Sequence, residues 1–252
     1  RRMRLATAIT DYADWLDRQH GIDAERTLRL ADTASSLRQD KLVVAFVAEF
    51  SRGKTELINA LFFADQGQRL LPSDAGRTTM CPTELFSSRD EAPSVSLLPI
   101  ETRRRDDSLA RLKHMPIEWV RVQLDPADPR QLQESLKKLT DTKLMAAADA
   151  IELGLWDAED ASERHQLRPD GTVEVPAWRY AMVNYPHPLL QAGLTVLDTP
   201  GLNALGAEPE LTLSVIPNAH AVMYLLATDT GVTRSDLEIW QKHVHRHANY
   251  HV

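Results

Sequence analysis

The feature that most constrains the fold is an eight-residue loop that follows a short apolar run. The run covers residues 42–47, and residues 48–55 read Ala-Glu-Phe-Ser-Arg-Gly-Lys-Thr. A strand, a glycine-containing loop and a helix in this order are typical of a phosphate-binding loop, where backbone N–H groups and a helix N-terminus face the phosphate charge. We expect Lys54 to reach the β/γ-phosphates and the Thr55 hydroxyl to ligate Mg²⁺.

The loop departs from the usual pattern at its first position. The pattern has Gly there, which suits unusual backbone angles and a close approach to phosphate, whereas this chain has Ala48. A chance strand–turn–helix is the alternative to a phosphate loop. The other loop residues are assigned to nucleotide binding by their position: Glu49, Phe50, Ser51, Arg52 and Gly53.

A second motif ends another apolar run, residues 194–197, and reads Asp198-Thr199-Pro200-Gly201. An Asp at the carboxyl end of a strand lies where open α/β sheets bind ligands, and there it can hold Mg²⁺. Gly201 can offer its N–H to a γ-phosphate and act as a hinge. Alone, Pro-Gly could mark only a turn. Together with the upstream loop, the motif indicates a nucleotide switch protein.

A third element lies between the first two, at residues 76–83, which read Gly-Arg-Thr-Thr-Met-Cys-Pro-Thr. A Thr in such a loop can complete the coordination of Mg²⁺ and sense the γ-phosphate. The alternative is an ordinary exposed loop that happens to contain the threonines at 78 and 79.

These motifs resemble those of the dynamin superfamily, and within it those of the bacterial dynamin-like GTPases. The resemblance rests on residues 49–55, 79–84, 197–203 and 227–236, and it covers roughly residues 40–252. It implies an α/β fold: a P-loop GTPase domain with a mostly parallel central sheet and helices on both faces. It also implies Mg²⁺ as cofactor, GTP as substrate and GDP as product.

The resemblance also suggests residue roles. Ser51 matches the family Ser that replaces the water-positioning Gln of small GTPases, and Thr79 begins the family's Thr-x-x-Pro-Thr-Glu pattern. Residues 229–236 would lie near the face through which two GTPase domains pair. The candidate catalytic residues are Ser51, Arg52, Lys54, Thr79 and Gly201, and the candidate metal ligands are Thr55, Thr79 and Asp198.

Two loop positions leave the rate of hydrolysis open. Dynamins often have Gln immediately before this Ser, where this chain has Phe50, and Phe cannot hydrogen-bond to a water. Arg52 could neutralise transition-state charge as an internal arginine finger. Alternatively, it points to solvent or pairs with an acidic neighbour. A GTP-binding switch with weak or no catalysis is therefore the second functional hypothesis.

The base-reading motif of GTPases, Asn/Thr-Lys-x-Asp, does not follow Asp236 within these 252 residues. We interpret this as truncation before that motif, with the remaining stalk and any membrane-binding region outside the chain. An ATP-using P-loop enzyme is the third hypothesis, against which the other motifs argue. For the full-length protein, the resemblance implies self-association through the GTPase face and membrane remodelling.

Composition limits the partners. A net charge of −7, from 36 acidic and 29 basic residues, gives no general attraction to nucleic acid, so we expect no nucleic-acid partner. One cysteine, Cys81, excludes an internal disulfide and fits a reducing cytosol. No apolar stretch approaches the ~18 residues that suggest a membrane span. We expect a cytoplasmic protein, peripheral at the membrane in its full-length form.

An arginine cluster and a histidine cluster suggest other kinds of binding site. The arginines at 103–105 could contact lipid or nucleic acid, but flanking acidic residues favour a solvated loop. The histidines at 243, 245, 247 and 251 could suggest a metal, but residues 233–247 have a helical pattern, which would scatter them over the helix surface.

The chain divides into residues 1–40 and 41–252. The first part is predicted to be helical and neck- or stalk-like, because Leu5, Ile9, Tyr12 and Leu16 form one apolar stripe. In the second part, Asp128 and Pro129 predict a helix start, and the helix is expected to continue to about residue 156. Residues 180–184 and 194–197 are predicted to be neighbouring strands. Further strands are predicted at 83–86, 95–100 and 119–124.

Overall fold

A seven-stranded sheet forms the centre of the protein in the computed structural model. The structure describes residues 2–17, 30–31, 33–34, 37, 41–49, 52–67, 69–72, 81–105, 107–159, 167–200 and 219–241. The strands are β1 Leu42–Ala48, β2 Thr83–Phe86, β3 Ser94–Pro99, β4 Val120–Gln123, β5 Thr142–Ala146, β6 Thr172–Pro176, β7 Trp178–Asn184, β8 Leu194–Asp198 and β9 Ala221–Leu225. The helices are α1 Arg2–Asp17, α2 Lys54–Phe62, α3 Leu109–Lys113, α4 Pro129–Lys137, α5 Ala147–Glu152, α6 Pro188–Gln191 and α7 Arg234–Ile239. Short 3₁₀ turns cover Ala64–Gln66, Ile100–Arg104, Pro116–Glu118 and Lys138–Thr140.

The sheet has the strand order β4-β3-β7-β2-β8-β1-β9, and β5 and β6 form a separate hairpin. The pairs β1–β8, β1–β9 and β2–β7 are parallel, and the pairs β2–β8, β3–β4 and β3–β7 are antiparallel. The predicted α/β class is therefore confirmed, with a sheet of mixed strand direction. The parallel strands β8, β1 and β9 form the half of the sheet that carries the site.

The prediction that β7 and β8 are neighbours is wrong, because β2 lies between them. β2 pairs with β7 on one side, Thr83 opposite Ala181, and with β8 on the other, Thr83 opposite Asp198. A strand that is buried on both faces is apolar along its whole length. Such a run predicts a central strand but does not identify its neighbours.

Helices cover both faces of the sheet, as predicted. On one face, Phe46 of β1 packs with Ile58 of α2, and the same core includes Leu132 of α4 and Leu190 of α6. On the other face, a smaller core contains Ala45 and Val47 of β1, Tyr180 of β7 and Leu109 and Leu112 of α3. Alternate residues of β1 thus face opposite cores, which fixes the strand's orientation and register.

The expected helix from Pro129 to about residue 156 is wrong beyond its first third. Asp128 caps α4 as predicted, its side chain accepting hydrogen bonds from the N–H groups of Arg130 and Gln131. The helix ends at Lys137, and residues 142–146 form β5, which pairs with β6. The hairpin buries Met145, Val173 and Val175 in a third core, and this tertiary packing outweighs the helical propensity of the alanine-rich segment.

Helix α1 is confirmed, but it buries a different face from the predicted stripe. Ala6 and Ala13 are buried, whereas Leu5 and Tyr12 are exposed. The ring of Tyr12 stacks on Trp15 with centroids 5.9 Å apart. A helix with uncovered apolar side chains is consistent with the neck-like interpretation of residues 1–40, which stays a prediction.

The arginines at 103–105 contact neighbouring segments of the chain. Arg104 forms an ion pair with Asp149 at 3.1 Å, and Arg105 forms one with Glu118 at 2.8 Å. Arg103 donates a hydrogen bond to the carbonyl of Leu153. No helix among the described residues is long and apolar enough to cross a bilayer.

Candidate nucleotide-binding site

Three loops meet at one edge of the sheet because β1, β8 and β9 are parallel. Phe46 of β1 lies opposite Asp198 of β8, and Ala48 lies opposite Leu225 of β9. The phosphate loop, the Asp-Thr-Pro-Gly motif and residues 226–233, here called the β9–α7 loop, therefore leave the sheet side by side. Ligands of open α/β sheets bind at this carboxyl edge.

The geometry explains why Ala48 replaces the usual Gly. Ala48 is the last residue of β1, is fully buried and pairs with Leu225 as an ordinary strand residue. Backbone freedom is required instead at Gly53, which precedes α2 and has a φ of 77°. Its carbonyl accepts a hydrogen bond from the N–H of Leu57, so the left-handed residue leads directly into the first helical turn.

Lys54 and Asp198 lie close to each other in the protein interior. The Nζ of Lys54 is 3.7 Å from the Oδ1 of Asp198, and 8% and 5% of the two side chains are exposed. This ion pair is longer than a hydrogen bond. Thr55, the next residue of α2, is also buried. A carboxylate and a hydroxyl are oxygen donors of the kind that Mg²⁺ prefers, so Thr55 and Asp198 fit the predicted metal site.

The Asp-Thr-Pro-Gly motif is fixed to β1 by Thr199. The fully buried Thr199 donates its hydroxyl to the carbonyl of Phe46 at 2.8 Å. This bond fixes the residue that follows Asp198 and so orients the carboxylate. Asp198 and Thr199 are therefore held against β1 at the carboxyl edge of the sheet.

Cys81 is buried at the entry to β2, beside this edge. Burial raises the pKa of its thiol to about 12, and the charge of Asp198 acts in the same direction. The thiol stays protonated at neutral pH and is a poor nucleophile. This supports the interpretation of Cys81 as a small packing residue.

Arg52 is bound to two acceptors. It donates from Nη2 to the Oε2 of Glu49 at 2.5 Å and from Nη1 to the Oγ1 of Thr230 at 2.9 Å. The hydrogen bond that Arg52 donates to Glu49 raises the pKa of the guanidinium further, so Arg52 is always charged. Of the two interpretations of Arg52, this geometry supports pairing with an acidic neighbour.

The structure thus brings six of the predicted residues to one edge: Glu49, Arg52, Gly53, Lys54, Thr55 and Asp198. Four others lie outside the described residues: Phe50, Ser51, Thr79 and Gly201. The histidines at 243, 245, 247 and 251 also lie outside them. Within the described ranges, no group of three or more His, Cys, Asp or Glu side chains is arranged to hold a metal.

Three contacts around the site were not predicted. Asn59 of α2 bonds both the carbonyl and the N–H of Leu71, at 2.9 and 2.8 Å, and so fixes the segment that leads toward residues 76–83. Thr230 holds Arg52, and Tyr224 donates to Asp236. A polar residue on the buried face of α2 was a signal for Asn59. The other two pairs carry no local signal.

A cavity of about 430 Å³ lies at the opposite end of the sheet, lined by residues that include Ser88 and Asn184. It is remote from Asp198 because β2 runs antiparallel to β8, and it opens where β2 ends. Asn184 there accepts from the N–H of Ser88 and donates to the carbonyls of Glu91 and Ala92. The cavity plays no part in the site described above.

Comparison with known proteins gives the family. Residues 44–251 match the family model described as Dynamin family. The match covers well over half of the sequence, and the chain therefore belongs to the dynamin family. The matched region is that of the GTPase domain, as the three motifs predicted, and this membership supports a GTP-binding function.

Individual relatives are bacterial. The bacterial dynamin-like protein of Nostoc punctiforme is 24% identical over 224 residues, which are 88% of this chain and 26% of that protein. The isoniazid-induced protein IniA of Mycobacterium tuberculosis is 43% identical over 60 residues, 23% of this chain and 9% of its own length. This chain thus spans about a quarter of the length of the Nostoc relative.

Among solved structures, the chain is similar to an oligomerised bacterial dynamin pair described as providing a mechanism for the long-range sensing and tethering of membranes. That similarity covers 94% of this chain and 36% of the other, with a TM-score of 0.45 and 13% sequence identity.

Proposed function

We propose that this chain binds GTP together with Mg²⁺ and hydrolyses it to GDP and phosphate. The observation that carries the proposal is the buried group formed by Lys54, Thr55 and Asp198 where β1 and β8 end together. A buried Lys beside a buried Asp, at the N-terminus of a helix, suits a ligand that brings several negative charges and a divalent cation.

Lys54 would bind the β/γ-phosphates as a buried positive charge. Thr55 and Asp198 would hold the metal, with Thr79 as the third protein ligand. Mg²⁺, when bound, supplies positive charge that stabilises the charge developing on the phosphates. Gly53 would let the backbone approach the phosphates without a side chain. For Ser51 we propose the positioning of the attacking water, and for Gly201 an N–H bond to the γ-phosphate.

A GTP-binding switch with slow turnover is the second candidate function, and two features favour it. Phe50 stands where a hydrogen-bonding Gln is often found, and the guanidinium of Arg52 is bonded to Glu49 and Thr230. Single-turnover hydrolysis separates the two functions. A single-turnover rate well above that of free GTP supports the enzyme, whereas tight binding with no acceleration supports the switch.

The activity of the whole protein is a further proposal, since this chain covers only part of its relatives. We propose self-association through the nucleotide-binding edge, where the apolar side chain of Val232 is 59% exposed on the β9–α7 loop. Leu226 of the same loop is also exposed, and apolar side chains grouped on a surface suit an interface. Membrane remodelling by a cytoplasmic, peripherally bound protein would then depend on regions outside these 252 residues.

The test of the proposed site is the affinity of a Lys54→Ala variant for GTP. Calorimetry in the presence of Mg²⁺ measures this affinity. Loss of the buried cation is expected to weaken binding at least ~100-fold, because charge-assisted bonds to phosphate are lost. Lys137→Ala, on the exposed face of α4, is the matched control and is expected to bind like the wild type.

A thermal melt of each variant shows whether it is folded. A folded Lys54→Ala protein that retains micromolar affinity for GTP would contradict the assignment of the phosphate loop.

A further inference from the structure

Arg52 joins two loops that are far apart in sequence. Its guanidinium bonds Glu49 at the start of the phosphate loop and Thr230 in the β9–α7 loop, and Arg52 and Thr230 are 178 residues apart. The Arg52 and Glu49 side chains are 14% and 17% exposed, so their ion pair is largely shielded from water. Shielding strengthens a charge-assisted bond and makes it a directional constraint.

The β9–α7 loop is held by its own contacts at both ends. The N–H of Gly231 donates to the carbonyl of Ala227 at 3.1 Å, which closes a turn around Thr230. Thr233 and Asp236 form a reciprocal capping box at the start of α7. These bonds restrain the turn internally, so a bond to the Thr230 hydroxyl constrains the position of the loop as a whole.

The end of the loop that leads into α7 is also connected to the sheet, through Asp236. Asp236 accepts from the Tyr224 hydroxyl of β9 at 3.2 Å. Burial acts to raise the pKa of Asp236, but the bonds from Thr233 and Tyr224 outweigh it and the net pKa is lowered. Asp236 is therefore ionised at neutral pH, and its charge, like those of Asp229 and Glu49, attracts Arg52.

We propose that Arg52, Glu49 and Thr230 act as a latch that couples the phosphate loop to the β9–α7 loop. This inference rests on the proposed function and concerns the regulation of the same site. The latch holds the phosphate loop in the conformation that receives phosphate. In return, phosphate binding holds the β9–α7 loop in place, because coupling between two sites acts equally in both directions.

The hydrogen bonds that Arg52 already makes define its role in the latch. Arg52 lies next to Gly53 in sequence but is already bonded to a carboxylate and a hydroxyl, and both bonds persist in this coupling. Arg52 and Thr230 are thus positioning residues, which act through the loop and not on the reacting phosphate. The guanidinium holds its N–H donors in a rigid fork and so fixes two acceptors in a defined geometry, whereas the three donors of a Lys ammonium rotate at the end of a flexible stem.

The test is Thr230→Val, which removes the hydroxyl and keeps the shape and exposure of the side chain. We expect the affinity for a slowly hydrolysed GTP analogue with Mg²⁺ to fall about three- to tenfold, which corresponds to the net contribution of one typical hydrogen bond. Thr230→Ser keeps the hydroxyl and is expected to restore the affinity. Thr228→Val, an exposed Thr of the same loop, is the matched control and is expected to bind like the wild type.

A second readout separates coupling from simple destabilisation. In the wild type, the analogue is expected to slow amide hydrogen exchange across residues 227–233. In Thr230→Val at saturating analogue, this protection is expected to be lost, whereas Thr230→Ser keeps it. A protein that is merely less stable would show faster exchange with and without the analogue.

The outcomes distinguish the two proposals. If the wild-type protein binds no nucleotide, the proposed function fails and the latch has nothing to couple. If the wild type binds but Thr230→Val matches it in affinity and in protection of residues 227–233, the latch is overturned and the proposed function stands. Failure of Thr230→Ser to restore binding also overturns the latch.

Discussion

Gly53 is the position in the phosphate loop that depends most on the absence of a side chain. Its φ is 77°, and a Cβ added there would meet no atom within 4 Å, so the cost of Gly53→Ala lies in the backbone alone. The left-handed conformation costs about 1–2 kcal/mol for Ala. We expect Gly53→Ala to lose that much stability in urea unfolding and also to bind GTP more weakly.

Gly67 provides a matched control for this prediction. Its φ is 65°, a Cβ there would also meet nothing within 4 Å, and it lies after the end of α2, away from Lys54. Gly67→Ala is expected to lose similar stability and to keep wild-type affinity for GTP. Equal affinities in the two variants would show that the phosphates do not approach Gly53.

Individual residues of the site were predictable where the signal is local. Lys54, Thr55 and Asp198 belong to short motifs next to apolar strands, and the structure brings them together. The partners of Arg52 were not predictable, because the choice between solvent, Glu49 and Thr230 depends on β9 lying beside β1. A hydrogen bond that spans 178 positions leaves no pattern in one sequence.

Helix α3 is held on the sheet by an ion pair. The Nζ of Lys113, at the end of α3, lies 2.6 Å from the Oε2 of Glu84 in β2, and it also lies over the ring of Tyr180. Burial acts to raise the pKa of Glu84, but the charge of Lys113 outweighs it and the net pKa is lowered. The ionised carboxylate thus stabilises the folded protein.

The lowered pKa of Glu84 predicts that the stability of the folded protein depends on pH. A carboxyl whose folded pKa lies below its unfolded value contributes its full stability above about pH 4.5, and this contribution is lost as the pH falls through the folded pKa. We expect Glu84→Gln to lose about 1–3 kcal/mol of unfolding free energy at pH 7 and much less at pH 3. Urea unfolding at both pH values measures the difference.

The ion pair of Glu91 and Arg121 is the control for the Glu84 prediction, because it has a similar geometry but is more exposed to water. It has the same 2.6 Å separation, but 55% and 47% of the two side chains are exposed, against 19% and 35% for Glu84 and Lys113. Glu91→Gln is expected to cost less than about 1 kcal/mol at pH 7. If both variants lose the same free energy, the Glu84 pair does not hold α3 on the sheet.

Elements were predicted better than their arrangement. The segments 42–47, 83–86 and 194–197 form strands whose observed ends lie within one residue of the predicted ones. The insertion of β2 between β7 and β8 could not be predicted from these segments, because the composition of a strand does not identify the strands that pair with it. Strand β5 was predicted to be part of a helix, because its strand conformation depends on pairing with residues of β6 that lie 26 to 34 positions further along the chain.

Self-association, which we propose for the nucleotide-binding edge, has a kinetic consequence. If two such edges pair and pairing promotes hydrolysis, GTP turnover per molecule rises with protein concentration. Val232→Asp, which places a charge on the exposed β9–α7 loop, is expected to flatten that rise and leave single-site GTP affinity unchanged. Specific activity measured across a hundredfold range of concentration would show the effect.

Ile117 is the matched control for that substitution. It is 92% exposed in the turn before β4, at the other edge of the sheet from β9. Ile117→Asp is expected to keep the concentration dependence. A specific activity that is flat in the wild type would argue against catalysis by pairing.

Nucleotide preference is the property to measure first. GTP, GDP and ATP would each be titrated with Mg²⁺ into the protein by calorimetry, with any continuation of the chain past Val252 retained. Binding of GTP and GDP with negligible binding of ATP is the predicted result. The chain belongs to the dynamin family, and it brings Lys54, Thr55 and Asp198 together at one buried edge of its sheet. A preference for ATP, or no binding of any of the three, would contradict it.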